Sequence, residues 1–472
     1  MAIDLDRAAA HVDDAWSDGV VDAIEEFISI PNVSPAFDAG WRDHGHMDRA
    51  VQLVRDWCGF RQIDGLTVEV HELAGRTPVI VCEIPATTAE LADDTVLLYG
   101  HLDKQPEMTG WRPGLGPWIP VRDGDLLYGR GGADDGYAVF AALTAIEALR
   151  DAGGDHARLL VLIEASEESG SPDLPAHLEA LGERLGDVSL VIGLDSGAAS
   201  YDRLWVTTSL RGMLAARLRV DVLTEGVHSG AAGGVVPSSF RILRHLLDRI
   251  EDSETGRVLV DELHVDVPEE RQRQIEATAS EIMSGASFPW AGGTHPGGRG
   301  DADLLRARTW EPAIANIAVE GFPPPERAGN VLRPYTELTM ALRLPPTADP
   351  KLAADALTTR LTAEPPHGAS VTLDVVAAEA GWNAPPTAPW LQHAVDEAST
   401  GLWGQPAGAM GEGGTIPFMG MLGDRFPDAQ FLITGVLGPG SNAHGPNEFL
   451  HLPMARKITA TVSHVLDTHA HR

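Results

Sequence analysis

Short apolar runs alternate with an amphipathic stretch in the first part of the chain. Each run is rich in leucine or β-branched residues and is bounded by turn-forming residues. The strand-like runs are 77–85, 94–103, 157–168 and 188–197. Residues 136–154 carry apolar positions at helical spacing and end in two glycines. Strands that alternate with helices predict a mostly parallel central sheet flanked by helices, an α/β fold.

The pattern changes near residue 210, where residues 211–223 alternate apolar and polar positions with a period of two. Such alternation is typical of a strand with one buried face. Further elements follow as a helix at about 237–251, strands at 313–322 and 336–345, a helix at about 350–363 and a strand at 370–378. This β-α-β-β-α-β order predicts a ferredoxin-like α+β domain, a small sheet with helices on one face.

The two patterns predict an insertion. At 472 residues the chain is long for one hydrophobic core, and after residue 381 it returns to helix, loop and strand. We therefore expect a first domain in two parts, 1–209 and 382–472, with the second domain inserted at 210–381. The glycine-rich stretch 284–301 and the segment 41–48, WRDHGHMD, are interpreted as loops.

Composition narrows the partners and the compartment. The chain has 35 basic and 68 acidic residues, a formal net charge of -33, which disfavours binding to nucleic acid or to an anionic membrane. Two cysteines outside any CxxC motif indicate a reducing compartment. The acidic N-terminal helix lacks the features of a secretory signal, and no apolar stretch approaches the ~20 residues that span a bilayer. We expect a cytoplasmic protein.

Histidines and acids follow the predicted strands at the points where these end. They are His101, Asp103, Asp134, Glu167, Glu168, Asp195 and His444, the last in a glycine-rich loop. In open α/β sheets, sites form in the crevice beyond the carboxyl ends of the strands. An isolated His-x-Asp or Glu-Glu pair is usually a surface pair. The ordered set, in register with the predicted fold, favours a site.

Several carboxylates in one cleft cannot all ionise without a cation, because like charges raise one another's pKa. Divalent metal ions remove this conflict. The proposed ligands are His101, Asp134, Glu168, Asp195 and His444. Imidazole with carboxylate oxygens suits two zinc ions, with manganese or cobalt as alternatives. Asp103 would orient His101 by accepting a hydrogen bond from its far ring nitrogen.

The motifs YGHLD, LYGRGGADDG, EASEESGS and AHGPNE resemble those of the co-catalytic zinc aminoacylase/carboxypeptidase family. That family includes carnosinases, cytosolic nonspecific dipeptidase and succinyl-diaminopimelate desuccinylase. The strings HLDKQP and EESGS are most similar to the dipeptidase branch. The resemblance implies a zinc-peptidase-like catalytic domain, and it makes the inserted domain a lid that also forms a homodimer.

The resemblance also implies a role for each matching residue. Asp134 would bridge the two metals, and Glu167 would be the general base. In the second domain, His228 of GVHSGAAGG would reach the partner subunit's active site, so that the site is completed in trans. The implied substrate-binding residues are Arg343, Gly413, Gly414 and, near a lid position that contacts substrate in trans, Asn330.

One position departs from the family pattern. The family usually reads DDKG after the bridging aspartate, whereas this chain has Gly136 in place of the lysine. The lysine is not a ligand, so metal binding should survive its loss. The departure bears on the subfamily and hence on the substrate.

The expected activity is metal-assisted hydrolysis of an amide bond in a small substrate with a free carboxylate. A dipeptidase is the preferred interpretation. A deacylase of N-acyl amino acids would use the same machinery, and a non-catalytic metal-binding protein has no need of Glu167. A dipeptidase needs an acid to meet the substrate's ammonium group, and the sequence alone does not identify that acid.

Overall fold

The computed structural model describes residues 3–285, 288–297, 300–414 and 416–472. Strands β1 to β18 span, in chain order, Thr67–His71, Val79–Ile84, Asp94–His101, Val121–Asp123, Leu126–Tyr128, Arg158–Glu164, Asp187–Gly193, Trp205–Leu210, Gly212–Asp221, Val227–His228, Ala313–Glu320, Val331–Leu332, Tyr335–Leu344, Ser370–Glu379, Trp382–Asn383, Gly408–Glu412, Gln430–Ile433 and Phe449–His451. Helices α1 to α14 span Leu5–Ala15, Val21–Ile28, Trp41–His44, His46–Gly59, Ala138–Asp151, Leu174–Leu181, Ser229–Ala232, Ser239–Leu247, Glu269–Gly285, Asp301–Thr309, Pro350–Thr362, Pro389–Trp403, Pro417–Arg425 and Leu452–Ala470.

The largest sheet has six strands in the order β1-β2-β6-β3-β7-β17. Strands β6, β3, β7 and β17 are parallel, and β2 and β1 add antiparallel strands at one edge. The parallel strands therefore all end at the same edge of the sheet. This confirms the predicted mostly parallel sheet.

Helices cover both faces of this sheet, which explains why its strands are continuous apolar runs. On β3, Val96 and Leu98 belong to a buried cluster that includes α1, α5 and α14. Leu97 and Tyr99 face the opposite way, into a second buried cluster with α6 and α13. Burial on both sides fixes the strand end that carries His101.

A separate antiparallel sheet has four strands in the order β11-β13-β9-β14. Along β9, buried positions alternate with more exposed ones, as its sequence predicts. The buried face forms a third cluster with α8 and α11, which includes Leu214, Leu342 and Leu357. The chain order β9, α8, β11, β13, α11, β14 is the ferredoxin-like β-α-β-β-α-β arrangement.

Sheet membership changes close to the predicted domain boundaries. Strand β8 pairs with β15 and β16, and the next strand, β9, belongs to the four-stranded sheet. Helices α9 and α10 lie within 210–381 but contact β16, and Ile275 and Leu305 belong to the same buried cluster as α5. Part of the predicted insertion, α9 and α10, therefore packs against the first domain. The exact division of the chain stays a prediction.

The structure contradicts one of the two loop predictions and agrees with the other over the residues that it describes. Residues 41–48 were expected to form a loop, but they form α3 and the start of α4, so that prediction is wrong. Within 284–301, the described residues 288–297 have no regular structure, while 286–287 and 298–299 lie outside the described residues. Among the described helices, none combines the length and the apolar character that crossing a membrane requires.

Candidate active site

The parallel strands deliver acids and histidines to one edge of the sheet. His101 is the last residue of β3, Glu167 and Glu168 form a short turn after β6, and Asp195 follows β7. Asp134 lies in the turn that precedes α5. His444 comes from the loop between β17 and β18. All five predicted metal ligands thus meet in one place, although they are far apart in the sequence.

Asp134 stands between two groups of side chains. Its Oδ1 lies 3.6 Å from His101 Nε2, which is also 3.6 Å from Asp195 Oδ2. Its Oδ2 lies 3.0 Å from His444 Nε2, which is 3.4 Å from Glu168 Oε2. One carboxylate therefore faces a His101–Asp195 pair with one oxygen and a His444–Glu168 pair with the other.

The donor set fits a divalent metal ion. His101 Nε2 and Glu168 Oε1 are buried and make no hydrogen bond within the described structure. Ligand atoms of His101, Asp134 and Glu168 lie within 4.8 Å of one another, as do those of His101, Glu167 and Asp195. Buried polar atoms without partners are costly, and a cation held by these oxygens and nitrogens would satisfy them.

Burial and mutual repulsion raise the pKa values of three acids in this cluster. Burial raises the pKa of Glu167 well above its usual range, and the nearby Asp195 and Glu168 add to the rise. Burial and the charge of Asp134 raise the pKa of Glu168 in the same direction. Burial, together with Asp134, raises the pKa of Asp195 to about 7. These carboxylates resist ionising side by side, as expected for a site built around positive charge.

Asp103 makes contacts that the sequence did not reveal. Its Oδ1 and Oδ2 accept hydrogen bonds from the backbone N–H groups of Glu167 and Glu168, each at 3.0 Å. The Nδ1 atom of His101 lies 3.1 Å from the backbone carbonyl oxygen of Asp103 and 3.6 Å from its Oδ1. The Asp103 carboxylate therefore holds the turn formed by Glu167 and Glu168, called here the glutamate turn. The hydrogen-bond acceptor nearest to His101 Nδ1 is the backbone carbonyl oxygen of Asp103.

A buried ion pair joins the two loops that carry Asp134 and His444. Arg130 contacts Glu448 through Nη1 and donates from Nη2 to the carbonyl oxygen of Gly445, at 2.9 Å. Glu448 Oε1 accepts a hydrogen bond from the N–H group of Gly131, also at 2.9 Å. Because Gly445 follows His444 directly, this pair fixes the distance between the loops.

The structure explains the glycine in place of the family's lysine. A Cβ atom at Gly136 would lie 2.2 Å from Phe27 Cε1 and 2.4 Å from the carbonyl oxygen of Gly131, so no side chain fits. Lys104 lies on the same phenyl ring, with Nζ 4.0 Å from its centre. That amine is fully buried and donates to the carbonyl oxygens of Phe27 and Ile30.

The predicted carboxylate-binding residues Arg343 and Gly413 both lie near Arg211. Gly413 and Gly414 lie between β16 and α13. Arg211 Nε donates to the carbonyl oxygen of Gly413, at 3.3 Å. Burial, with Arg343 and Arg308 nearby, lowers the pKa of Arg211 to about 10. Arg343 thus stands in a cationic neighbourhood next to the glycine turn, where Arg211 and Arg308 are residues that the sequence reasoning missed.

His228 and Asn330 lie close to each other and outside the lining of the metal-site cavity. Strand β10 pairs with β12, and the N–H group of Ser229 donates to the carbonyl oxygen of Asn330, at 2.8 Å. Both residues are exposed. Among the described residues, those that line the metal-site cavity include neither of them.

A cavity of about 430 Å³ opens over the ligand cluster. Its lining contains three polar residues for which the sequence predicts no role, Gln105, Ser196 and Glu412. Gln105 Nε2 donates to Glu168 Oε2, at 2.6 Å. Glu412 is the last residue of β16, immediately before the glycine turn. The resemblance implies a role for the next two residues, Gly413 and Gly414, but none for Glu412.

The α/β fold and the two groups of candidate ligands around Asp134 indicate a metal-dependent hydrolase. The sequence profile of the peptidase family M20/M25/M40 matches residues 97–468, and the chain belongs to this family. The resemblance drawn from the motifs is thereby confirmed. The chain is a peptidase whose family hydrolyses peptide bonds, and its candidate site can hold a divalent metal ion.

Individual relatives agree with this assignment. The chain is 29% identical over 374 residues to the cysteinylglycine-S-conjugate dipeptidase of Corynebacterium striatum. The aligned region covers 76% of this chain and 79% of that protein. The solved structure of the dipeptidase Dug1p from Saccharomyces cerevisiae superposes with a TM-score of 0.76 at 21% identity and covers 100% of both chains. Human carnosine dipeptidase 1 superposes with a TM-score of 0.75 at 21% identity, covering 99% of both chains.

Proposed function

We propose that the protein is a cytoplasmic dipeptidase with two zinc ions per chain. The observation that carries the proposal is the position of Asp134, whose two oxygens face separate groups of metal-ligand type. His101 and Asp195 would hold one ion, and Glu168 and His444 the other. Relatives named as dipeptidases support the substrate class. The two cysteines are free, as a reducing compartment requires.

Bound divalent ions would polarise the scissile carbonyl and make water acidic enough to attack at neutral pH. Glu167 would take a proton from the attacking water and pass it to the leaving amine, as one carboxyl group can in both steps. Glu167 lies beside the proposed ligands His101 and Asp195, where it can accept and then release a proton. Arg343 and the Gly413–Gly414 turn would bind the substrate's carboxylate.

We further propose a homodimer in which His228 of the partner subunit completes the site. Strand β11 is an edge strand of the four-stranded sheet, and it exposes Ile317 by 64% and Val319 by 53%. An exposed apolar sheet edge is a pairing surface that a monomer rarely leaves uncovered. His228 and Asn330 lie on the same inserted unit, exposed and apart from the metal ligands. In a dimer, His228 and Asn330 of one subunit could reach the active site of the other subunit.

The first test is hydrolysis of a substrate panel by protein loaded with zinc or manganese. The panel contains α-dipeptides, β-alanyl dipeptides and N-acetyl and N-succinyl amino acids. Dipeptide hydrolysis that exceeds N-acyl hydrolysis supports the proposal, whereas the reverse order indicates a deacylase. Elemental analysis of the same samples tests the stoichiometry. Full activity at a stoichiometry that never exceeds one would overturn the two-ion claim.

The second test addresses completion of the site between subunits. His228→Ala and Glu167→Ala variants, each inactive alone, are mixed and allowed to exchange subunits. One site of each mixed dimer then combines an intact His228 with an intact Glu167 from different chains. Recovery up to about a quarter of wild-type activity is expected for random pairing of equal amounts. No recovery, despite demonstrated subunit exchange, would contradict a shared site.

A further inference from the structure

The site cavity contains an acid that neither group of metal-ligand side chains includes. Glu412 lines the cavity together with Asp195, Glu167 and Gly414. Its negative charge is felt by Asp195, whose pKa it helps to raise after burial and Asp134. In a peptidase cavity that already holds several acids, a further carboxylate increases mutual repulsion. Divalent ions at the proposed ligands would offset part of this charge, and the ammonium group of a substrate is a second cation that Glu412 can face.

The Glu412 carboxylate is held in one orientation. Its Oε1 accepts three hydrogen bonds, from Ser196 Oγ at 2.6 Å, Thr207 Oγ1 at 2.8 Å and the N–H group of Gly197 at 3.0 Å. Within the described chain, no hydrogen bond reaches Oε2. One oxygen is therefore an anchor, and the other is available to a ligand. A fixed acceptor of this kind loses little entropy when it binds.

Glu412 lies between the metal-ligand cluster and the glycine turn. Its side chain contacts residues 196–197, directly after Asp195, on the metal side of the β16 end. The next residue along the chain, Gly413, contacts Arg211 in the cationic neighbourhood of Arg343. A small substrate whose carboxylate lies in that cationic neighbourhood and whose scissile bond lies at the metal ligands would have its other end inside the cavity that Glu412 lines. In a dipeptide, that end carries an ammonium group.

We propose that Glu412 binds the free ammonium group of the substrate and thereby selects dipeptides over N-acyl amino acids. The inference rests on the proposed dipeptidase function and deepens it. An N-acyl substrate carries no charge at this end, so it would leave Glu412 buried under the ligand without a partner. A buried charge that loses its partner is strongly unfavourable. Glu412 is then the acid that distinguishes the two activities that share this machinery.

The experiment compares two substrates that differ only in the amino group, L-alanyl-L-alanine and N-propanoyl-L-alanine. The variant is Glu412→Gln, because its amide oxygen can still accept the hydrogen bonds made to Oε1 while the charge is lost. A hydrogen bond to a charged group predicts a fall in kcat/KM for alanyl-alanine of about 10- to 100-fold. The value for propanoyl-alanine should rise, because the variant no longer leaves an unpartnered charge under this substrate. Thr207→Val, which removes one donor and keeps the charge, is the matched control and should leave the ratio of the two values unchanged.

Binding measured without turnover gives a second readout. In a Glu167→Gln background, titration calorimetry should show that Glu412→Gln weakens the binding of alanyl-alanine by the same factor and strengthens the binding of propanoyl-alanine. Equal losses for both substrates, or no loss for either, would overturn the role of Glu412. If the metal-loaded wild type hydrolyses no dipeptide, the proposed function fails. The binding comparison still decides whether Glu412 recognises an ammonium group.

Discussion

Replacing Asp103 tests how the glutamate turn is held. In the structure, the Asp103 side chain is buried and accepts the N–H groups of Glu167 and Glu168, each at 3.0 Å. Hydrogen bonds to a charged acceptor contribute about 1.5–3 kcal/mol each. In Asp103→Asn, one amide oxygen can still accept one N–H group, while the amide nitrogen faces the other. The turn should therefore lose about 1.5–3 kcal/mol of local stability, roughly a 10- to 100-fold loss of protection from hydrogen exchange.

The assay is hydrogen–deuterium exchange of the peptide that contains Glu167 and Glu168, together with kcat and metal content. We expect faster exchange at these two amides and a lower kcat, because the proposed base and a proposed ligand share the turn. Asp135→Asn is the matched control. Asp135 is also a buried acid beside His101, but its Oδ2 accepts a hydrogen bond from the backbone N–H group of His101, at 3.4 Å. Unchanged exchange at the turn in Asp103→Asn would refute the reasoning. It would favour the sequence-based view that Asp103 acts on His101 alone.

Three further predictions follow from the same geometry. Glu167→Gln should lower kcat by about 10²–10⁴ with metal content unchanged in elemental analysis; loss of metal instead would make Glu167 a ligand. Gly136→Ala should lower the free energy of unfolding by at least ~1–3 kcal/mol, because its Cβ would lie 2.2 Å from Phe27 Cε1 and 2.4 Å from a backbone oxygen. A melting temperature equal to wild type would contradict that clash. Chelation should lower the melting temperature and added zinc should restore it, since a bound ion stabilises only the folded site; insensitivity to both treatments would argue against the metal centre.

The sequence predicted the elements that repeat a simple pattern. Strand β3 contains an uninterrupted apolar run because both of its faces are buried, and β9 alternates because only one of its faces is buried. These periods are set by burial of local residues, so they can be read without knowing the partners. The same regularity placed His101 and Asp195 at strand ends, and the motif set identified Asp134, Glu168 and His444 as their companions. The sequence did not predict the helical segment 41–48, because its glycine and its several charged residues interrupt the helical spacing of apolar positions.

Only the tertiary structure decided which groups meet. The two oxygens of Asp134 face different partners, and Asp103 reaches the main chain of residues 167–168, contacts between segments that lie far apart in sequence. Glu412 looked like an ordinary residue of a glycine-rich turn until the fold placed it beside Ser196 and Thr207. Hydrogen bonds and charge interactions depend on distances of a few ångströms, and periodicity carries no record of such distances between distant segments. The sequence therefore determined the class of chemistry, while packing of the sheet, the loops and the inserted unit determined which carboxylate can hold a metal, move a proton or face a substrate.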